Sequence, residues 1–302
     1  MKAEIDIIIV NFYSEELIET CVKSIQNSDF ENYNIIIVDN GSDTEILSNL
    51  TNDRIKVLTN NENKGFGHAC NSGARESESE IILFLNPDTQ VNKDTLKNTI
   101  SFLTNRSEIA VMGCQQTDGQ GSIHKTCARF VTRKNYFVKT LKLNKLSKNI
   151  FKSYRMVDWD HKTSREVNHV MGSFYAIKRS LFNELSGFDE DYFVYYEDLD
   201  LSKRVYNAGG KIYFNSEIKI YHETGGTSKN IKAQRLFYSL DALLTYSSKH
   251  LKNSSYIPIY CSVLFLEPIF RLGIALLKFN KSEILNTLKA FRLLYIKRLL
   301  KR

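Results

Sequence analysis

Proline is scarce in this chain, three residues in 302, and glycine adds only fourteen. That excludes a collagen-like stretch, a Pro-rich tail and long Gly/Pro linkers. The five cysteines (Cys21, Cys70, Cys114, Cys127, Cys261) are odd in number, scattered, and form no C-x-x-C pair. They argue against a disulfide framework or a zinc site and for a reducing compartment. The first residues, Met-Lys-Ala-Glu-Ile-Asp, lack a basic segment followed by an apolar core, so no secretory signal is expected and the cytoplasm is the expected location. The G-x-x-x-x-G-K-[ST] order is missing, which excludes a P-loop. No internal repeat is present.

Acids are nearly missing from two segments. Between Arg271 and Arg302 there are nine Lys/Arg and one acid, Glu283; Arg129–Lys152 holds eight basic residues and none of opposite sign. A nucleic-acid binder could carry such runs. Both, however, interleave Lys/Arg with Leu, Phe, Tyr and Ile, which suits an anionic membrane surface at least as well. That surface, and not nucleic acid, is the expected partner. Ile257–Leu277 approaches the length of a membrane span, but Glu267, Pro268 and Arg271 interrupt it; a mid-span charge costs about 2.5–3.5 kcal/mol. A packed or interfacial helical pair is expected instead. The last helix is expected to place Ile284, Leu288, Phe291, Tyr295 and Leu299 on one apolar stripe, with Lys289, Lys297 and Lys301 off it and Arg298 snorkelling at its edge.

The first third alternates short aliphatic runs with helical periodicity. Strands are expected at Ile5–Val10, Ile35–Val38, Ile55–Leu58, Ile81–Leu85 and Ile109–Gly113. Helices are expected at Glu15–Gln26 with Ser14 as N-cap, around Thr44–Leu50, from the glycine turn 63–67 to Glu76, and at Lys93–Leu103. This rhythm predicts βαβ units and a doubly wound, mostly parallel sheet. Residues 115–165 read as a polar, basic insertion whose one periodic piece is Asn135–Phe151. A strand through Val167–Ile177, a helix at Arg179–Leu185 and strands at Lys211–Asn215 and Ile218–His222 complete the core; helices follow from Lys232. The implied division is a catalytic domain over 1–230, with 115–165 facing acceptor or membrane, and a helical membrane-associating extension over 231–302.

Two of the aliphatic runs end in aspartates: Asp39 in Asp39-Asn40-Gly41-Ser42-Asp43, and Asp88 in Asn86-Pro87-Asp88. Open α/β sheets bind ligands at the carboxyl ends of their strands. Asp39 can accept the N3–H of uracil or thymine, while Ser42 and Asp43 can equally cap the next helix in an ordinary tight turn. Asp88 can hold Mg²⁺ or Mn²⁺ against a diphosphate, or simply end a strand. Asn63-Lys64-Gly65-Phe66-Gly67 opens a helix whose N–H groups can face phosphate or ribose. The acid-rich run Gly187–Arg204 sets carboxylates among aromatic rings, where one can serve as a general base; as a plain helix start it would place Asp200 and Arg204 in an i,i+4 pair. His222 stands at another strand end, before a glycine-containing loop, Glu223-Thr224-Gly225-Gly226-Thr227-Ser228, suited to phosphate.

In this order the motifs resemble those of the inverting family 2 glycosyltransferases, closest to the rhamnosyltransferase-like branch. The resemblance spans about residues 4–250. It rests on Val38-Asp39-Asn40-Gly41-Ser42-Asp43, Asn63-Lys64-Gly65-Phe66-Gly67, Leu85-Asn86-Pro87-Asp88, Gly187-Phe188-Asp189-Glu190 and Tyr196-Glu197-Asp198-Leu199-Asp200. It implies a GT-A fold with the helical, basic extension appended, a nucleotide-sugar donor and Mn²⁺ or Mg²⁺. It further implies Asp39 as pyrimidine reader, Asn86 near ribose or diphosphate, Asp88 and His222 as metal ligands, and Asp198 as catalytic base with Glu197 second for that role. Asn11, Ser42, Asn63, Gly65, Phe66 and Gly172 complete the implied donor-binding set. The first-choice donor is dTDP-rhamnose, then a UDP-hexose or UDP-galactofuranose; the implied acceptor is a saccharide, lipid-linked, in cell-surface polysaccharide synthesis. A sugar nucleotidyltransferase would carry a Gly/Arg-rich phosphate loop where Asn11-Phe12-Tyr13-Ser14 stands. A non-catalytic, membrane-surface nucleotide-sugar binder would have no use for Asp88, Asp198 and His222 together.

Overall fold

Four aliphatic runs make the parallel half of the central sheet: β1 (Ile5–Asn11), β2 (Tyr33–Asp39), β3 (Ile55–Thr59) and β4 (Ile81–Leu85), ordered β3-β2-β1-β4. The computed structural model describes residues 3–41, 45–147, 150–223 and 231–300. Helices α1 (Glu15–Gln26), α2 (Glu45–Ser48) and α3 (Phe66–Arg75) link these strands. Because side chains alternate along a strand, Ile5, Ile7 and Ile9 pack into one core with Ile18, Val22 and Ile25 of α1, while Ile8 and Val10 pack into a second with Ala69, Cys70 and Ala74 of α3. Both faces are covered, which is why these strands read as unbroken apolar runs. Ile37 is fully buried; truncation to alanine there would cost about 2–5 kcal/mol.

The chain continues through β5 (Thr89–Val91), α4 (Thr95–Thr104), β6 (Ile109–Thr117), β7 (Cys127–Ala128), α5 (Arg133–Thr140), β8 (Arg165–Glu166), β9 (His169–Val170), β10 (Phe174–Lys178), α6 (Arg179–Glu184), α7 (Glu197–Asn207) and β11 (Lys211–His222). The sheet extends from β4 as β10-β6-β11-β5, with β10 antiparallel to both neighbours, β11 parallel to β6, and β8 beside β11. The doubly wound, mostly parallel sheet is therefore present, with antiparallel strands inserted. Two compact units are distinguished. The sheet unit comprises Met1–Phe130, Arg155–Glu190 and Glu197–Thr227; the second comprises Val131–Tyr154, Asp191–Tyr196 and Ser228–Arg302.

Several expectations change in detail. The strand expected over Val167–Ile177 breaks at Met171–Ser173, between β9 and β10. Strand β6 runs on to Thr117, into the stretch read as insertion, and β5 follows Asp88 directly. The two late strands are one, β11, with a bulge between Asn215 and Lys219 that absorbs the polar Asn-Ser-Glu. The periodicity of Asn135–Phe151 yields only α5 and a single turn at Leu143–Lys145 among the described residues. Ser14 occupies the N-cap of α1, but its hydroxyl donates to Asn11 Oδ1 at 2.9 Å instead of capping the helix.

The second unit is helical, with α8 (Lys232–His250), α9 (Asn253–Cys261), α10 (Glu267–Leu277) and α11 (Lys281–Tyr295); a π turn at Ser262–Leu266 makes α9 and α10 one rod. The buried face of α11 is Thr287, Ala290, Phe291 and Leu294, whereas Leu288 and Leu299 are exposed, so the expected stripe is rotated. Arg298 does not snorkel: its Nε donates to Asp241 Oδ1 at 2.6 Å, and Lys297 Nζ reaches Asp241 Oδ2 at 2.7 Å. The buried carboxylate of α8 thus draws both cations inward, which the apolar spacing alone does not reveal. Glu267 is likewise buried and paired, Oε1 accepting from Arg271 Nη2 at 2.7 Å. Ser42, Asp43, the 224–230 part of the glycine loop, Lys301 and the start of the helix expected at Thr44 lie outside the described residues.

Candidate active site

The parallel register sets Asn11 directly opposite Asp39, at the carboxyl ends of β1 and β2. Both are buried, and Asn11 Nδ2 donates to Asp39 Oδ1 at 2.9 Å. Asn11 Oδ1 in turn accepts from the Ser14 N–H at 3.1 Å and its hydroxyl, so the turn into α1 orients the amide that orients the carboxylate. Asn40 ties this strand end to the glycine turn: its Nδ2 donates to Asn63 Oδ1 at 2.8 Å, and Asn63 Oδ1 also accepts from the Gly65 N–H at 2.9 Å. Gly65, at φ +107, caps α3 in a conformation costly for any side chain. Phe66 is half-buried and packs on the core behind the turn. Asn11, Asp39, Asn63, Gly65 and Phe66 therefore form one contiguous shelf.

The second cluster forms where β5 returns beside β11, pairing Thr89 with His222. The Asp88 carboxylate and His222 imidazole meet at 3.3 Å (Oδ1 to Nε2), both side chains largely buried. His222 Nδ1 donates to Gln116 Oε1 at 2.6 Å, and Ser173 Oγ donates to the same oxygen at 2.9 Å. With Nδ1 donating to Gln116, Nε2 is the ring nitrogen that faces Asp88. His124 stacks edge-on to His222, ring centres 5.8 Å apart; burial first and the charge of His222 second hold its pKa below the ordinary histidine value. Asn86 is fixed by its backbone, its N–H donating to the Ser173 carbonyl at 3.1 Å.

The third element is the N-terminal turn of α7, entered through Tyr195 and Tyr196, both left-handed (φ +71 and +68). Two aromatic residues in that conformation are strained by about 1–3 kcal/mol each. Asp198 is held by two backbone donors, Gly172 N–H to Oδ2 at 2.8 Å and Leu199 N–H to Oδ1 at 2.8 Å. His169 Nε2 lies 3.7 Å from Oδ2, while its Nδ1 pairs with Ser202 Oγ at 3.0 Å; burial lowers the pKa of this imidazole. Glu197 differs sharply from its neighbour. It is 5% exposed, Oε2 has no partner, and burial followed by the charge of Asp198 raises its pKa well above the carboxylate range. Burial thus favours the neutral form of Glu197, whereas the less buried Asp198 carboxylate is positioned by two backbone N–H donors.

The second and third clusters are joined. Gly172 binds Asp198, and the next residue, Ser173, binds the Gln116 that orients His222. The break in the expected strand places both contacts. Gly187-Phe188-Asp189-Glu190 proves to be a clasp on α3: Asn71 Oδ1 accepts from Phe188 N–H at 2.8 Å, its Nδ2 donates to Phe188 O at 2.8 Å and to Glu190 Oε1 at 2.9 Å. Asp200 and Arg204 form the expected i,i+4 pair at 2.7 Å. Gln116, His124, His169 and Ser173 were not singled out from sequence. A polar Gln-Gln ending to the otherwise apolar β6 is the one signal that could have found Gln116.

A divalent cation fits the second cluster. A carboxylate oxygen and an imidazole lone pair converge there, a donor set that Mn²⁺ and Mg²⁺ accept. Among the described residues no group of three or more His, Cys, Asp or Glu is assembled for a metal. Asp88 and His222 are the two residues that would hold it.

The sequence profile of Glycosyl transferase family 2 matches residues 6–185. Rhamnosyltransferase WbbL of Escherichia coli K12 is 26% identical, over 80% of this chain and 92% of that protein. The N-acetylglucosaminyl-diphospho-decaprenol L-rhamnosyltransferase of Mycobacterium tuberculosis H37Rv is 22% identical, over 65% of this chain and 68% of that protein. Among solved structures, the mannosyltransferase PcManGT of Pyrobaculum calidifontis, in complex with GDP-Man and Mn2+, superposes with a TM-score of 0.60 at 14% identity, covering 99% of this chain and 88% of that one. The likeness is one of fold, the GT-A fold.

Proposed function

This chain belongs to glycosyl transferase family 2, and on that premise we propose that it transfers rhamnose, with inversion, from dTDP-rhamnose to a lipid-linked saccharide during cell-surface polysaccharide synthesis. The observation that carries the reading is the placement of Asp198. Its carboxylate is fixed by two N–H donors and linked through Gly172-Ser173 and Gln116 to the Asp88–His222 pair. Rhamnose is supported by the names of both sequence relatives, and a lipid-linked acceptor by that of the mycobacterial one.

In this reading Asp39, steadied by Asn11, accepts the N3–H of the pyrimidine, and Asn63, Gly65, Phe66 and Asn86 line the donor shelf, with Ser42 assigned to it from sequence. Asp88 and His222 hold Mn²⁺ or Mg²⁺, which when bound supplies Lewis-acid stabilisation of the departing diphosphate. Asp198 takes the proton of the acceptor hydroxyl as that oxygen attacks the anomeric carbon from the face opposite the leaving group. The Gly172 N–H keeps Oδ2 in place. Residues 1–230 serve as the catalytic part, 115–165 as its acceptor- or membrane-facing insertion and 231–302 as the membrane-associating extension, with the enzyme peripheral at the cytoplasmic leaflet.

The test is a thermal-shift screen of the full chain with Mn²⁺ against dTDP-rhamnose, UDP-hexoses and UDP-galactofuranose, followed by nucleotide release with diphospholipid-linked saccharides. Stabilisation by dTDP-rhamnose and release of dTDP with a lipid-linked acceptor are expected. Stabilisation only by a UDP-sugar would replace the donor, and no response to any nucleotide sugar would remove the reading.

A further inference from the structure

The hairpin of α10 and α11 ends in a rigid but uncovered apolar tip. Its turn is closed by backbone bonds, Phe279 N–H to Leu276 O at 3.0 Å and Asn280 N–H to Ala275 O at 3.0 Å, and Asn280 Oδ1 caps α11 by accepting from Glu283 N–H at 3.1 Å. Yet Leu277 is 82% exposed and Phe279 92% exposed. Phe279 also adopts φ +50, the left-handed conformation that a helix end ordinarily gives to glycine. A large aromatic side chain in the least suitable backbone conformation, with almost no packing inside the fold, points to an apolar environment outside it.

The charge around the tip selects that environment. Lys278, Lys281, Lys289 and Arg292 are all exposed, and the only acid between Arg271 and Tyr295 is Glu283, which lies 3.7 Å from Lys232. Helix α10 further exposes Ile269, Phe270 and Leu276. An open groove of about 560 Å³ lies along the pair, lined by Pro268, Leu272, Leu288, Phe291, Arg292 and Ile296 among others. A second copy of this chain seated symmetrically on the tip would set these cations against their own images. Anionic headgroups over acyl chains match both the charge and the apolar ridge.

We propose that this hairpin docks on an anionic phospholipid bilayer, with Leu277 and Phe279 inserted below the headgroups and Lys278 and Lys281 on the phosphates. The proposal deepens the lipid-linked acceptor reading by naming the element that meets the bilayer, and its test requires no sugar transfer. Vesicle co-sedimentation of the full chain is compared on phosphatidylcholine alone and on phosphatidylcholine mixed with phosphatidylglycerol. Binding is expected on the mixed vesicles only and should weaken with added salt. Leu277→Ser and Phe279→Ser should each reduce that binding about tenfold while melting temperature and helical circular dichroism stay unchanged, since both side chains are already in water. Lys278→Glu with Lys281→Glu should abolish the preference for phosphatidylglycerol. Equal binding by the serine variants, no binding of the wild type to either vesicle, or a lipid-free dimer that Phe279→Ser dissolves would each overturn the proposal, the last in favour of self-association.

Discussion

The Gly172 N–H donates to Asp198 Oδ2 at 2.8 Å, and a methyl group added at Gly172 would stand 3.2 Å from that same oxygen. Glycine here is a matter of approach: the backbone must come within hydrogen-bond reach of the carboxylate. Gly172→Ala is expected to push Asp198 aside by a few tenths of an ångström. For a group that must meet a hydroxyl proton at hydrogen-bond distance, kcat should fall about 10–100-fold with donor KM nearly unchanged. Steady-state kinetics at saturating metal check this; a rise in donor KM with unaltered kcat would place Gly172 in donor binding alone, as its sequence reading has it.

Asp198→Asn tests the base itself. The amide keeps the size and one oxygen acceptor but cannot take a proton, so turnover should drop by about 10²–10⁴-fold. Thermal stabilisation by nucleotide sugar and Mn²⁺ should persist, because neither the Asp39 shelf nor the Asp88–His222 pair contacts the substituted group in any hydrogen bond described above. Near-normal transfer rates in this variant would remove Asp198 from the mechanism.

These two residues also mark where sequence reading succeeds and where it stops. The parallel half of the sheet was legible because strands buried on both faces need continuous aliphatic runs, and Ile35–Val38 or Ile81–Leu85 admit little else. Asp39, Asp88, Asp198 and His222 were legible as acids and a histidine at element ends. Their support was not. Gln116 lies 106 residues from the His222 it orients, a pairing set by the order β10-β6-β11-β5, and His169 contacts Asp198 from the separate β7–β9 ribbon; no local pattern encodes either. The last helix misled for a related reason. Its apolar residues exceed what one buried face needs, so spacing alone could not say that Ala290 and Leu294 turn inward while Leu288 faces out.

Glu197 predicts a pH dependence of stability. Burial, and then the neighbouring Asp198 charge, raise its folded-state pKa above the usual 4.5. Between those two values the folded chain binds a proton that the unfolded chain has lost, so this contribution to stability is full below pH 4.5 and is lost as pH rises through the folded value. Glu197→Gln keeps the shape and cannot ionise. The variant should match the wild type in acid and melt progressively higher than it as pH increases. Melting curves of both proteins across that range decide it: a difference independent of pH would mean that Glu197 is not held neutral by the fold.

The Asp88–His222 pair makes the sharpest demand on Gln116. His222 can offer Nε2 when its proton sits on Nδ1, and the 2.6 Å bond to Gln116 Oε1 favours that tautomer and fixes the ring. Gln116→Ala leaves both proposed ligands in the chain but frees the ring to rotate or change tautomer. Outer partners of this kind are typically worth 10–100-fold in metal affinity. Titrating Mn²⁺ by electron paramagnetic resonance, with nucleoside diphosphate present, should show a loss of that size for Gln116→Ala. Asp88→Ala should lose more, since it deletes a ligand and not merely its orientation, and Asp198→Asn should bind metal as the wild type does. The ordering is the critical result. If Gln116→Ala bound Mn²⁺ as tightly as the wild type while Asp88→Ala did not, Gln116 would not be what holds His222 in a ligating position.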